Sequence, residues 1–222
     1  MIVDPDCQAR GIGSQILKVL LSEAERRGLE ILGLVPTPLG RPLYDRAGFT
    51  PVGDVIGLAG VATADAFDGP TERSDSTEPL RAEALVRYDE RTLGCSRDGM
   101  LRARFREAVA TASSLGPDGG LSGYAMATAQ GDHCVVGPVV AETEAQARAL
   151  IRSLLRSVRG PVRIDVPGEH TRFREWLAAA IVCPGRCPSD LPWLPRLGAR
   201  IEKRVASRGN SLNVVGPETG AF

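Results

Sequence analysis

The stretch VDPDCQARGIGSQILKVLLSEAERRGLEILGL, Val3 to Leu34, decides how the rest of the chain is read. Gly11 and Gly13 stand directly before a long apolar-periodic run, with Gln8 and Arg10 just ahead of them. Ile12, Ile16, Leu20 and Ala24 recur every four residues beside Leu17 and Leu21. That spacing predicts an amphipathic helix from Gly11 to Arg27, closed by Gly28 in the left-handed conformation. A glycine-rich turn entering a helix leaves backbone N–H groups unpaired and pointing one way, and the helix dipole adds to their pull on an anion such as phosphate. Glycine permits close approach of the anion and positive φ. The same pair also suits a tight connection with no ligand, so on its own it is a weak signal.

Two phosphate loops are excluded by spacing. A Walker loop ends in Gly-Lys-Ser/Thr, and GIGSQI has neither the lysine nor the interval. A dinucleotide fingerprint needs a third glycine where Ile16 stands, and an acidic residue after the next strand where LVPT has none.

Working outward, LEILGLV (Leu29 to Val35) predicts a strand whose near-continuous apolar character suits a sheet covered on both faces. PTPLGRPLYDRAGF predicts a turn and a short helix with Pro42 in its first turn and Gly48 after its last, and FTPVGDVIGL a further strand. Ala59 to Thr77 is small, polar and acidic without a period, which reads as a linker. Beyond it, Leu101, Phe105, Ala108, Val109 and Ala112 form a helical stripe. LSGYAMATA and HCVVGPVV are strand-like around a QGD turn. Thr143 and Gln146 make a capping box for a helix lined by Ala147, Leu150, Ile151, Leu154, Leu155 and Val158. VRIDV is strand-like, and Phe173, Trp176, Leu177 and Ala180 mark a last helix. The rest, rich in proline and arginine, shows no strand period and reads as an irregular, disordered tail.

Composition bounds the function. Twenty-seven basic residues balance twenty-seven acidic ones among 222, so no global field argues for nucleic acid or an anionic membrane. Five scattered cysteines without an export signal suggest reduced thiols in a cytoplasmic protein. Cys183 and Cys187 lack partners at zinc spacing, and His133 and His170 are solitary, so no metal is expected. No apolar stretch approaches the roughly 20 residues that cross a bilayer.

QARGIG fits the pattern Q/R-x-x-G-x-G/A, and the stretch Val3 to Gly53 resembles the coenzyme half of the GNAT superfamily of acyl-CoA-dependent N-acetyltransferases. VDPDCQARGIGSQIL resembles the end of that family's central splayed strand, the pyrophosphate loop and the coenzyme helix. GLEILGLVPTPLGRPLYDRAGF resembles the next strand and the short helix carrying Leu-Tyr ahead of Gly-Phe. The second half, from LSGYAMATA to FREWLAA, resembles the degenerate C-terminal GNAT-like domain of tandem acetyltransferases, and its loop GPVVAET has lost the glycines.

The resemblance implies an α/β (α+β) fold, a GNAT-like mixed sheet flanked by helices. It implies a partial GNAT unit over 1–58, a linker over 59–79, a degenerate GNAT-like unit over 80–180 and an irregular tail over 181–222. A complete domain would have further strands and helices before the loop, so the chain is expected to be N-terminally incomplete, with Met1 to Val3 left as the feeding strand. By resemblance, Gln8, Ala9, Arg10, Gly11, Ile12, Gly13 and Ser14 would bind the pyrophosphate of acetyl-CoA, and the strand edge at Val3 its pantetheine arm. Tyr44 stands where the family often has the proton donor to the departing thiolate, a task suited to a phenol that stays protonated at neutral pH. Tyr44 could equally pack its ring beside Leu43 and Phe49, while Asp45 and Arg46 read as a solvated helix face. No general base can be named. His170 with Asp165 is a weak acid/base pairing, His133 is expected to be exposed, and no second coenzyme site is expected at GPVVAET.

The function implied is acetyl transfer to a small-molecule or peptide amine by direct attack in a ternary complex. The alternative is a non-catalytic fragment acting as a binding or assembly module. In either case the partners exclude nucleic acid and membrane and include self-association through exposed sheet edges.

Overall fold

The computed structural model describes residues 2–62, 80–182 and 199–204. In chain order the first elements are a 3-10 turn at Pro5–Cys7, helix α1 (Ile12–Arg26), strand β1 (Ile31–Leu34), helix α2 (Arg41–Arg46) and strand β2 (Thr50–Ala62). From Leu80 onward come α3 (Ala82–Leu93), α4 (Asp98–Glu107), β3 (Ala108–Leu115), β4 (Leu121–Gln130) and β5 (His133–Ala141). Then follow α5 (Glu144–Ser157), β6 (Pro161–Pro167), α6 (Thr171–Ala180), β7 (Ile181–Val182) and β8 (Ala199–Arg204). The chain divides into two compact units. The first holds the residues up to Ile56, Pro167–Glu169 and β8, and the second holds Gly57–Val166 and the segment from His170 through β7.

In the first unit β8 pairs antiparallel with β1 on one side, Leu34 opposite Ile201, and with the start of β2 on the other, Pro51 opposite Ile201. Leu17, Phe49 and Ile201 are its buried centre, with Leu21, Leu32, Leu34, Leu43, Tyr44 and Ala47 packed around them. Lys203 donates from Nζ to the Ala47 carbonyl at 2.6 Å, placing a cation on the α2 C-terminus. This corrects the reading of 181–222 as irregular: Ala199–Arg204 is a strand paired on both edges. It has one fully buried apolar residue, Ile201, among four charged ones, so its membership is carried by backbone pairing and leaves no apolar alternation to read. Ile181–Val182 is the short strand β7, paired antiparallel with the end of β2, and the remainder of that tail, including Cys183 and Cys187, lies outside the described residues.

β1 is not covered on both faces. Leu32 and Leu34 turn toward the buried centre, while Ile31 is 52% exposed, the alternation of a half-buried strand. Helix α1 likewise buries Leu17 and Ala24, and Ile16 and Leu20 face outward, because its apolar band is wider than a three-stranded sheet covers.

In the second unit the strand order is β2-β6-β5-β4-β3. β3, β4 and β5 form an antiparallel meander, and α5 returns the chain so that β6 lies parallel to β5. This is the mixed sheet flanked by helices that the sequence predicts. Leu150, Ile151, Leu154 and Leu155 of α5 pack with Phe173 and Leu177 of α6 against one set of strand residues, and α3 and α4 pack against another centred on Tyr124 and Met126. Two boundaries differ from the sequence reading. The helical stripe ends at Glu107, and Ala108–Leu115 is the strand β3, whose Val109 and Thr111 favour extended backbone. Strand β2 runs through Ala62, across the expected start of the linker, and residues 63–79 lie outside the described residues.

Among the described residues of this unit one charge, that of Asp89, is fully buried. Asp89 accepts from Arg97, with Nε at 2.9 Å, and from the Tyr124 hydroxyl at 2.5 Å. Tyr88 beside it donates to the Ser122 carbonyl at 2.5 Å.

Candidate functional site

The turn before α1 is built from its own side chains. Asp4 Oδ1 accepts from the Asp6 amide at 2.9 Å, and Gln8 Nε2 donates to the Val3 carbonyl at 3.1 Å. No strand precedes the loop among the described residues, so the expected feeding strand at Val3 is replaced by this turn. Ala9 follows with φ 59, an uncommon value for a residue with a Cβ, and Gly11 with φ 78. Gly11 is the N-cap of α1, and no side chain caps the helix. The first backbone bond runs from the Gln15 amide to the Gly11 carbonyl at 3.1 Å, which leaves the amides of Ile12, Gly13 and Ser14 without a partner among the described residues. A Cβ placed on Gly11 would meet nothing within 4 Å, so the space above the helix end is open.

That end opens into a cavity of about 810 Å³. Val3, Gln8, Ala9, Gly11, Ile12, Gly13, Ser14 and Tyr44 all line it; Arg10 does not, and its Nη1 lies 3.9 Å from Cys7 Sγ. The opposite wall comes from Val35, Pro36 and Thr37, where β1 has just ended, and from α2. Such clefts outside the carboxyl ends of strands are where α/β proteins take ligands. Thr37 Oγ1 accepts from the Gly40 amide at 3.1 Å and starts the turn into α2. A Cβ on Gly40 would stand 3.3 Å from Thr37 Oγ1, a tight approach, and 3.7 Å from the Tyr44 ring, an ordinary contact. The ring also meets Phe49 edge-on, centroids 5.5 Å apart. Tyr44 therefore has both the packing contact and the cavity face that the sequence left as alternatives.

Arg46, read from the sequence as solvated, lines the cavity as well, whereas Asp45 is held by Arg41 at 2.6 Å. Nothing in the sequence singles out Arg46, since residues two apart on a helix, as Tyr44 and Arg46 are, do not share a face. Among the described residues no carboxylate or histidine lines the cavity. Free amides and one guanidinium, with no acid among the described lining residues, have the chemistry that suits an anion.

The equivalent corner of the second unit is closed. Thr143 Oγ1 accepts from the Gln146 amide at 3.2 Å, capping α5. Gln146 Oε1 accepts from the Glu142 amide at 2.8 Å, and its Nε2 donates to Ser114 and Ser122. The chain's own side chains thus occupy the Gln146 amide, the counterpart of the Ser14 amide that the first unit leaves free, and the Glu142 amide before the cap. Asp165 is held by Arg163 on its own strand, at 2.8 and 3.0 Å, and His133 is buried at the start of β5, contrary to the expected exposure. Phe173 is core, and Trp176 lies between the guanidiniums of Arg148 and Arg152, 5.2 and 5.4 Å from its ring centre. Among the described residues no group of metal-capable side chains gathers, and no helix is long and apolar enough to cross a membrane.

Comparison with known proteins finds matches in both halves of the chain. The model described as "Acetyltransferase (GNAT) family" matches residues 1–49, and that described as "Acetyltransferase (GNAT) domain" matches residues 85–182. The chain is 26% identical over 181 residues to "Uncharacterized N-acetyltransferase YitH" of Bacillus subtilis (strain 168), covering 80% of this chain and 62% of that protein. The chain thus spans less than two thirds of the length of this curated relative. A putative acetyltransferase from Pyrococcus horikoshii shares the fold with TM-score 0.61 and 18% identity, covering 94% of this chain and 65% of that one. A tandem GNAT protein from the clavulanic acid biosynthesis pathway does so with TM-score 0.54 and 14% identity, covering 94% and 74%.

Proposed function

We infer that this chain, which belongs to the GNAT acetyltransferase family, transfers an acyl group from acetyl-CoA to an amine, with its first unit holding the coenzyme. The observation that carries the reading is the uncapped start of α1: the amides of Ile12, Gly13 and Ser14 open onto a cavity that also contains Tyr44. Acetyl-CoA supplies an activated acyl group on sulfur. The chain's part is to fix the diphosphate with the loop amides, with Arg46 adding charge on the facing wall, so that the thioester end has one orientation. The amine nitrogen bonds to the carbonyl carbon as the carbon–sulfur bond breaks, and the sulfur takes a proton from the Tyr44 phenol, which regains one from water. No general base is named among the described residues of the lining, and the attacking amine gives up its proton as the amide forms.

The second unit is proposed as a GNAT-like partner in a tandem arrangement that binds no coenzyme. Support comes from Thr143 and Gln146, which cap the Gln146 amide in the first turn of α5 and hold the Glu142 amide before it. The acceptor amine is a small molecule or a peptide, and the setting is cytoplasmic. Incubation with acetyl-CoA and a panel of small and peptide amines, scored by release of free thiol, tests the proposal. The expected result is amine-dependent release at one coenzyme per chain. Binding without release under any amine would leave a non-catalytic module, and neither binding nor release would remove the reading altogether.

A further inference from the structure

The second unit contains a cavity of about 360 Å³ between one face of α3 and the tip of the β3–β4 hairpin. Its floor is apolar, made by Leu80, Ala84, Leu115, Leu121 and the ring of Tyr88. Three guanidiniums stand around it, those of Arg81, Arg87 and Arg91. Arg87 and Arg91 are four residues apart on the helix, a spacing at which like charges repel. Neighbouring arginines are neutralised: Arg97 by Asp89, and Arg102 by Glu83 and Asp98. Arg81, Arg87 and Arg91 have no carboxylate within ion-pair distance among the described residues. The one acid on the lining, Asp118, is turned into the hairpin, where it accepts from the Gly120 amide at 3.0 Å. Tyr88 spends its hydroxyl on the Ser122 carbonyl and presents its ring, with Arg91 5.6 Å above the ring centre.

A concave apolar floor under three guanidiniums, none of them in a close ion pair among the described residues, has a defined chemical complement. Guanidinium groups bind carboxylate and phosphate in a fork, and the floor removes hydrocarbon or an aromatic ring from water. A polyanion would need a basic stripe extending beyond the cavity, and the chain carries no net charge. The volume falls within the roughly 300–1,000 Å³ of small-molecule pockets. We propose that this cavity is a binding site for a small organic anion, a carboxylate or phosphate monoester on an apolar body, which makes the second unit a ligand-binding module in its own right. The proposal is independent of coenzyme binding in the first unit, since no residue is shared between the two cavities.

Calorimetric titration of the full chain with hexanoate and with phenyl phosphate tests it, with inorganic phosphate and hexanol as parallel arms. One site per chain is expected for at least one of the two organic anions, weakening as salt is raised. Inorganic phosphate and hexanol should each bind at least about tenfold more weakly, having lost the apolar or the charged half. Which organic anion binds identifies carboxylate or phosphate as the anionic group. Arg87→Gln combined with Arg91→Gln, both on exposed positions, should weaken binding by about tenfold or more, whereas Arg106→Gln outside the cavity should leave it unchanged. Ala84→Glu should abolish binding by placing a carboxylate among the guanidiniums. Equal binding of inorganic phosphate, tighter binding of a single-stranded oligonucleotide, no binding of either organic anion, or indifference to the double substitution would each overturn the proposal.

Discussion

Strand β8 turns a segment that reads as tail into the middle of the first unit, and Ile201→Ala measures how much that matters. Ile201 is fully buried and forms the unit's centre with Leu17 and Phe49 among the described residues. The substitution removes three buried carbons, worth about 0.8 kcal/mol each or about 2.4 kcal/mol together, before any cost for the cavity left behind. With that cost the loss falls within the roughly 2–5 kcal/mol seen for such truncations, at the upper end here because so small a centre has few neighbours able to close the gap. A unit of this size lies near the margin of stability, so a loss of that order should open it while the second unit stays folded. Amide hydrogen exchange followed by mass spectrometry reads the two separately. Protection should fall across α1, β1 and α2 and persist across α5 and β4. Arg200→Ala, on the same strand with its side chain 46% exposed, is the control and should change little. If Ile201→Ala leaves protection of α1 and α2 intact, β8 is not the strand that holds this unit together.

Other expectations follow from single contacts. Asp89→Ala leaves Arg97 without its carboxylate and should cost about 3–5 kcal/mol in the second unit, measured by denaturant unfolding. Tyr44→Phe should keep coenzyme affinity while lowering turnover and changing its alkaline limb, and an unchanged pH profile would remove the phenol from the chemistry. Burial raises both Tyr88 and Tyr124 above the ordinary phenol value, and for Tyr124 the hydrogen bond to Asp89 adds to the effect. Folded chains therefore keep protons that unfolded chains release. The stabilisation is complete below pH about 10 and is lost as pH rises from there through the folded values, so melting temperature should fall in that window and less so in Tyr124→Phe.

What the sequence makes legible follows from how locally each feature is determined. The start of α1 is visible because glycine at Gly11 and the apolar period after it are local facts, and the face of α5 is visible because two layers bury it. The cavity facing Gly11 is partly visible through Leu43 and Tyr44, but Arg46 is not, since its role comes from where α2 sits. β8 is hidden because its partners are more than 130 residues away and its own side chains are mostly charged. The change from α4 to β3 is hidden for the opposite reason: Ala108 and Ala112 fit a helical stripe by spacing, and pairing with β4 decides otherwise. Gln146 reads as half of a capping box, yet its carbonyl goes to Glu142 and its amide to two serines, a tertiary choice that no spacing rule contains.

The central claim is that backbone amides at the start of α1 grip a diphosphate. Titrating nitrogen-15-labelled protein with coenzyme A, and separately with pantetheine, which has the thiol arm without the diphosphate, examines those amides one by one. The account predicts large shifts at Ile12, Gly13 and Ser14 with coenzyme A, little change there with pantetheine, and none at the capped start of α5. Silence at these three amides, or the same response to both compounds, would contradict it.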